Sequence, residues 1–176
     1  MTGWVTDLEP HKKTSVPILY IFAGLPGSGK STLAQALARR LAAVYVRIDT
    51  IEQQLKDSGL AQVTTEGYEV AYQIAADNLK LGLNVVADSC NPVLVTRKAW
   101  RKLAMDCSAQ PVDIEIVCSD KTEHRKRLET RAPLPTWQEV EAREYHPWSI
   151  DRIIIETAGR SETESLDDLC RALSLR

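Results

Sequence analysis

The clearest chemistry in the chain lies near its start. Gly24-Leu25-Pro26-Gly27-Ser28-Gly29-Lys30-Ser31 reads as GxxxxGK[ST], and Thr32 follows. At average residue usage, a chain of this length would match by chance in fewer than about one case in a hundred. Glycines let the backbone wrap a phosphate with its N–H groups turned inward, and they remove Cβ atoms that would block its approach. The N-terminus of a following helix adds partial positive charge. Lys30 supplies a mobile cation for the β- and γ-phosphates, and the Ser31 hydroxyl is a hard oxygen ligand suited to Mg²⁺. Gly24, Pro26, Gly27, Ser28, Gly29, Lys30, Ser31 and Thr32 are the candidate cradle for a nucleoside triphosphate with magnesium.

Two carboxylates and one basic run stand out next. Asp49 follows the expected strand Val44 to Ile48, and Asp88 ends the apolar run LNVVAD. Asp88 has the placement of a carboxylate that holds a magnesium-bound water. The competing reading for both is a helix cap. Ser89 and Asn91 follow at the same rim. In the run His124 to Arg131, Arg127 and Arg131 are four apart and share one helical face. An arginine there can stabilise the charge of a transferring phosphoryl group. The competing reading is a solvated face paired to Glu123 and Glu129.

These residues need a scaffold. Ile18 to Ala23 is a continuous apolar run, as a strand buried on both faces requires. Leu33, Ala36, Leu37 and Leu41 then recur at helical spacing over Ser31 to Ala43. Further strands are expected at Val44 to Ile48, Leu83 to Ala87, Val112 to Val117 and Ile153 to Ile155. The helices between them are a short one from Thr50, then Glu66 to Leu81, Val95 to Met105 after Pro92, Ser119 to Arg131, Gln138 to Glu144 and Glu162 to Leu173. Ser119 or Asp120 would cap the fourth of these. Five strands alternating with helices predict an α/β protein whose parallel sheet is covered on both faces. Ligands of such sheets bind beyond the carboxyl ends of the strands.

A GTPase would need a guanine-reading NKxD, which is missing. Glu156-Thr157-Ala158-Gly159 nearly matches a GTPase switch but lies far too late in the chain. Motor ATPases and helicases need longer chains. A small chain with its phosphate loop near the start points to a P-loop kinase. The chain resembles the small ATP-binding proteins of the zeta-toxin, chloramphenicol phosphotransferase, gluconate kinase and polynucleotide kinase group. The likeness runs from about Leu19 to Leu173 and rests on GLPGSGKST, RID, VVAD, VCSD and REYHPW.

The resemblance implies the three-layer P-loop NTPase fold, with a five-stranded parallel sheet of order 2-3-1-4-5 and a mobile lid, and ATP with Mg²⁺ as cofactors. It implies that Asp49 contacts the acceptor hydroxyl as base or orienter. Lids of the adenylate-kinase kind imply that Arg127 stacks on adenine and that Arg131 reaches the transferring phosphoryl group. Lys30, Asp49 and Arg131 are then the catalytic candidates, Ser31 and Asp88 the metal candidates. Arg127, Thr157 and Gly159 join the nucleotide-binding set, the last two as the floor of the adenine pocket. The lid spans about 132–148, where Trp137 and Trp148 are expected as packing anchors and His146 as an organiser of the loop.

Several relatives carry DxxR after strand two, whereas this chain has Asp49-Thr50-Ile51-Glu52. A carboxylate at Glu52 would repel an anionic acceptor and favour a neutral or cationic one, unless it faces solvent. The expected activity is transfer of the ATP γ-phosphate to a hydroxyl of a small molecule. The alternatives are a 5′-hydroxyl polynucleotide kinase, a zeta-toxin-like nucleotide-sugar kinase, and an ATP-dependent switch without an acceptor.

Composition narrows these choices. With 176 residues, 44 % hydrophobic and 26 % charged, the chain fits one globular domain. Residues 1–15 read as an N-terminal tail and 16–176 as the kinase-like domain. The net charge of -2 argues against a nucleic-acid partner, although Lys56, Lys98, Arg101 and Lys102 would line any basic groove. No apolar run is long enough for a membrane helix. Cys90, Cys107, Cys118 and Cys170 lack metal or redox spacing, so they are expected as thiols in a cytoplasmic protein. The sequence leaves the oligomeric state open.

Overall fold

A computed structural model of the chain describes residues 16–130 and 135–175. The elements run in the order β1 (Ile18–Ala23), α1 (Lys30–Leu41), β2 (Val44–Arg47), α2 (Ile48–Asp57), α3 (Glu66–Lys80) and β3 (Val85–Asp88). They continue with α4 (Leu94–Asp106), β4 (Gln110–Val117), α5 (Lys121–Glu129), α6 (Trp137–Glu141), β5 (Ile153–Glu156) and α7 (Glu162–Ala172). The strands form one sheet of order β2-β3-β1-β4-β5, with every pairing parallel. Both the class and the strand order match expectation.

The apolar run of β1 belongs at the centre of this sheet. Its residues alternate between two cores, as strand geometry demands. Leu19 and Ile21 face one side, where Ala71, Ala75 and Leu79 of α3 and Trp100 and Ala104 of α4 cover them. Tyr20 and Phe22 face the other, under Leu33 and Leu37 of α1 and Leu169 of α7. The register sets Phe22 beside both Asp88 of β3 and Ile114 of β4. The carboxyl ends of β1 and β3 therefore finish together, which aligns the phosphate loop with Asp88.

Helix starts are where the sequence reading needs correction. Helix α2 begins at Ile48, directly after β2, and Arg47 is its cap residue, with no side-chain cap bond. Asp49 thus lies inside the first turn and is not the cap. Asp88 does not cap α4 either, because that position belongs to Val93. Of the two residues proposed to cap α5, Asp120 does so, accepting from the N–H groups of Thr122 and Glu123.

The last helices are capped by paired side chains, Thr136 with Glu139 at α6 and Ser161 with Glu164 at α7. The expected helix Gln138 to Glu144 is shorter and earlier, at Trp137–Glu141. The tail 1–15, Arg131 and the lid residues 132–134 lie outside the described residues. Among the described residues no helix is long and apolar enough to cross a membrane.

Candidate active site

The phosphate loop joins β1 to α1. Gly24 is held by its N–H, which donates to the Cys90 carbonyl at 3.1 Å. Its φ is +145°, and a Cβ there would lie 2.5 Å from the Ile116 carbonyl oxygen. Only glycine fits there, where the chain leaving β1 passes the backbone of neighbouring β4. Gly29, at φ +93°, caps α1, so Lys30 and Ser31 open the helix. Buried His124 supports the loop from α5: its Nε2–H donates to the Pro26 carbonyl at 2.8 Å. The His124 ring in turn stands edge-on to Trp137, with centroids 5.2 Å apart. This is the anchoring role expected of Trp137.

Beneath the loop lies a buried charge cluster. Lys30 Nζ is 2.5 Å from Asp88 Oδ1, and the two side chains are 6 % and 0 % exposed. The other Asp88 oxygen accepts a 2.6 Å bond from the Tyr45 hydroxyl. Arg47 Nε stands 3.7 Å from that same oxygen, and Arg47 Nη2 pairs with Asp49 Oδ2 at 2.9 Å. Arg47 therefore links the two carboxylates that the sequence singled out. Lys30 Nζ also approaches Ser31 Oγ at 3.4 Å.

Burial alone would push the Asp88 carboxyl up. The Lys30 ammonium and the bonds from Lys30 and Tyr45 outweigh it and hold the carboxyl below its usual range. Burial would likewise lower the Lys30 pKa, but Asp88 outweighs it, and the ammonium is held above its usual range. Both groups are charged at neutral pH.

Two cavities open on either side of Gly27, which lines both. One, of ≈ 270 Å³, is bounded by Gly29, Thr32, Arg127, Thr157 and Ser161. The other, of ≈ 760 Å³, is bounded by Pro26, Ser31, Arg47, Asp49, Glu52 and Arg143. The fold thus gathers most of the candidate residues around a single loop. Lys30 and Asp88 are buried behind it. Arg127 is fixed at the first cavity by three bonds: to Glu123 at 2.5 Å, to Thr157 Oγ1 at 2.9 Å and to the Thr157 carbonyl at 2.7 Å. Thr157 Oγ1 also donates to the Ser28 carbonyl at 2.8 Å, which ties the loop after β5 to the phosphate loop. Gly159 turns at φ +67° and donates to Glu123 Oε2 at 2.7 Å rather than lining that cavity. Arg131 falls outside the described residues.

Asn91 does not face substrate. It is fully buried, and its Nδ2 donates to the Phe22 carbonyl at 2.7 Å. Ser89 is buried as well. Two of the four residues of the proposed basic groove are paired within the fold, Arg101 with Asp113 and Lys102 with Asp106 at 2.5 Å.

The segment Glu144 to Trp148, within the expected lid, is clamped to the body. Buried Arg97 donates to the carbonyls of Asn91, Pro92 and His146. Its guanidinium lies 3.9 Å from the Trp148 ring centroid and 4.9 Å from that of Tyr145. Glu115 of β4 accepts from the Tyr145 hydroxyl and Trp148 Nε1, each at 2.8 Å, and from Arg152 at 2.5 Å. His146 orders the segment, its Nδ1 accepting from the Leu94 N–H at 3.0 Å.

Sequence reasoning missed Tyr45 and Arg47. Strand alternation was the available signal. It puts both on one face of β2, and Arg47 sits in register with Asp88.

Residues 19–144 match the model of the AAA domain family. No curated protein sequence matches the chain. Solved structures do. One from Chloroflexus aurantiacus, a candidate kinase, has a TM-score of 0.71 at 22 % identity and covers 90 % of this chain and 97 % of its own. The Mycobacterium tuberculosis APS kinase, solved with AMPPNP and APS, has a TM-score of 0.66 at 17 % identity, covering 92 % and 99 %. A gluconokinase from Sinorhizobium meliloti has a TM-score of 0.65 at 14 % identity, covering 92 % and 94 %. At these identities the likeness concerns the fold, and that fold is the P-loop kinase fold. The chain belongs to the AAA domain family.

Proposed function

We propose that the chain is an ATP-dependent phosphotransferase of the cytoplasm that moves the γ-phosphate to a hydroxyl of a small molecule. The observation that carries this is the meeting of two cavities at Gly27, in the same loop whose Lys30 is paired with buried Asp88. A donor on one side and an acceptor on the other would bring their reacting atoms together at that loop.

In this reading ATP lies in the smaller cavity, with its base against the bonded pair Arg127 and Thr157. Its phosphates take the N–H groups of Gly27 and of Gly29 to Thr32, because those of Gly24 and Ser28 are donated to Cys90 and Leu25. Lys30 exchanges part of its pairing with Asp88 for the β- and γ-phosphates. Ser31 and Asp88 offer oxygen donors that suit Mg²⁺, which takes one or two protein oxygens and completes its shell with phosphate and water. When bound, the ion would neutralise charge on the phosphates.

The acceptor occupies the larger cavity beside Asp49. Its hydroxyl oxygen attacks the γ-phosphorus, the bond to the β–γ bridging oxygen breaks, and the proton passes to the Asp49 carboxylate. Lys30 and Arg131 offset the charge that spreads over the phosphoryl oxygens. The similarity in fold to an APS kinase and a gluconokinase supports a small acceptor. The free thiols of Cys90, Cys107, Cys118 and Cys170 suit a reducing compartment.

The test is transfer of label from γ-labelled ATP with Mg²⁺ across sugars, sugar acids, nucleosides, hydroxylated antibiotics and 5′-hydroxyl oligonucleotides. Labelled product from the native chain, absent from Lys30→Ala and reduced at least a hundredfold in Asp49→Asn, is the expected result. Full transfer by Asp49→Asn would remove its assigned role. Tight ATP binding with no labelled product from any acceptor would replace this reading with that of a nucleotide-dependent switch.

A further inference from the structure

The acceptor cavity has a charge pattern that the sequence alone pointed away from. Its wall is α2, where Asp49, Glu52, Gln53 and Lys56 repeat at helical spacing and all line the cavity. Gln53 and Gln54 turn their amides to Asp57, at 2.8 Å and 3.5 Å. Asp49 is paired with Arg47, and Asp88 with Lys30. Among the described residues, the charges of the cavity left without an ion pair are Glu52, Lys56 and Arg143.

Glu52 is turned toward α3 by packing. A Cβ on Gly67 would lie 2.4 Å from Glu52 Cγ, so the stem of this carboxylate rests on the bare backbone of α3. Burial and the neighbouring Asp49 push the Glu52 carboxyl up, and Lys56 and Arg143 counter this only in part. The balance is one carboxylate against two cations, and neither cation has an ion pair or side-chain hydrogen bond among the described residues. Arg143 is not on a loose loop. It sits between α6 and the strap Glu144 to Trp148, which Arg97 and Glu115 clamp to the sheet.

Resting on the phosphotransferase reading, we infer that the acceptor is a small hydroxyl compound bearing an anionic group, a carboxylate or a phosphate, which Lys56 and Arg143 grip while its hydroxyl lies at Asp49. Arg143 offers the planar donor fork that suits either anion, and Lys56 adds a point charge. Glu52 sets the depth of this anion site by repelling it from the α3 side.

The test compares matched compounds under transfer from γ-labelled ATP: sugar acids and sugar phosphates against their uncharged parent sugars, with a 5′-hydroxyl oligonucleotide alongside. An anionic member is expected to be labelled at least tenfold more efficiently than its parent. Which anion is preferred, carboxylate or phosphate, separates the two sources. Lys56→Gln combined with Arg143→Gln should raise KM for that compound about 10- to 100-fold, more than it lowers kcat, as expected for losing charge-assisted bonds to the substrate. KM in the native chain should also rise with salt, because both cations are solvent-exposed. Uncharged parents labelled as well as the acids and phosphates would overturn the inference while leaving phosphotransfer intact. So would an unchanged KM in the double variant, or an oligonucleotide as the sole substrate. No labelled product from any compound would overturn both readings.

Discussion

Replacing Asp88 with Asn isolates the electrostatics of the site from its shape. The amide is isosteric and can still accept from Tyr45, but it leaves the Lys30 ammonium, 6 % exposed, without its counter-ion. Breaking a buried ion pair from one side costs about 3–5 kcal/mol. For a domain of this size, each kcal/mol moves the melting temperature by about 2–4 °C, so the expected fall is about 6–20 °C. Lys30→Met should cost less, because Arg47 already stands 3.7 Å from the carboxylate it leaves behind.

The double variant should lose less than the sum of the two single changes. The pH dependence follows from the same pair. The Asp88 carboxyl is lowered from 3.8, so its contribution is present above that value and lost as pH falls through the native one. The Lys30 ammonium is raised from 10.5, so its contribution is present below that value and lost as pH rises through the native one. The gap between native chain and Asp88→Asn should be constant across the neutral range and should close at both extremes. The assay is thermal unfolding followed by circular dichroism without nucleotide. A fall of less than about 2 °C at pH 7 would show that Lys30 is not held by Asp88 and would refute the reasoning.

Three further outcomes follow from single contacts. Gly24→Ala should cost about 2–4 kcal/mol in urea unfolding, because its Cβ would meet the Ile116 carbonyl at 2.5 Å in a backbone conformation that alanine resists. Tyr45→Phe should cost about 1–2 kcal/mol by the same assay, since it removes a hydrogen bond to a buried charge. Arg97→Met should destabilise by about 3 kcal/mol or more and shift the fluorescence of Trp148, because the strap would lose the cation against that ring and its donors to three backbone carbonyls. An unchanged Trp148 spectrum in that variant would show that Arg97 does not hold the strap.

Much of this molecule is legible in its residues taken in order. The phosphate loop is a local object: its glycines, Lys30 and Ser31 act within one strand-to-helix turn, so their spacing is enough to name them. The apolar run Ile18 to Ala23 is short enough to suit a strand buried on both faces, and the alternation of such runs with helical patterns points to a parallel sheet with two covered faces. Helix starts are less legible. Helix α2 has no side-chain cap, so nothing in the residues marks Ile48 as its beginning, and a cap at Asp49 stood as the competing reading of that residue.

What the tertiary structure alone decided is which charges meet. Lys30 and Asp88 are 58 residues apart, and Tyr45 and Asp88 are 43 apart. The register of three neighbouring strands brings them together, and no local pattern encodes that register. The same holds for Arg97, which sits on α4 and clamps a strap some 50 residues further on, at Pro147. Glu52 shows the consequence for function. Read in sequence, it is a carboxylate replacing an arginine. In the fold it rests against Gly67 of α3 and is outnumbered by Lys56 and Arg143, because α2 and the turn after α6 meet at one cavity. Sequence determines the chemistry a local turn can do, whereas net charge in a cavity depends on long-range packing.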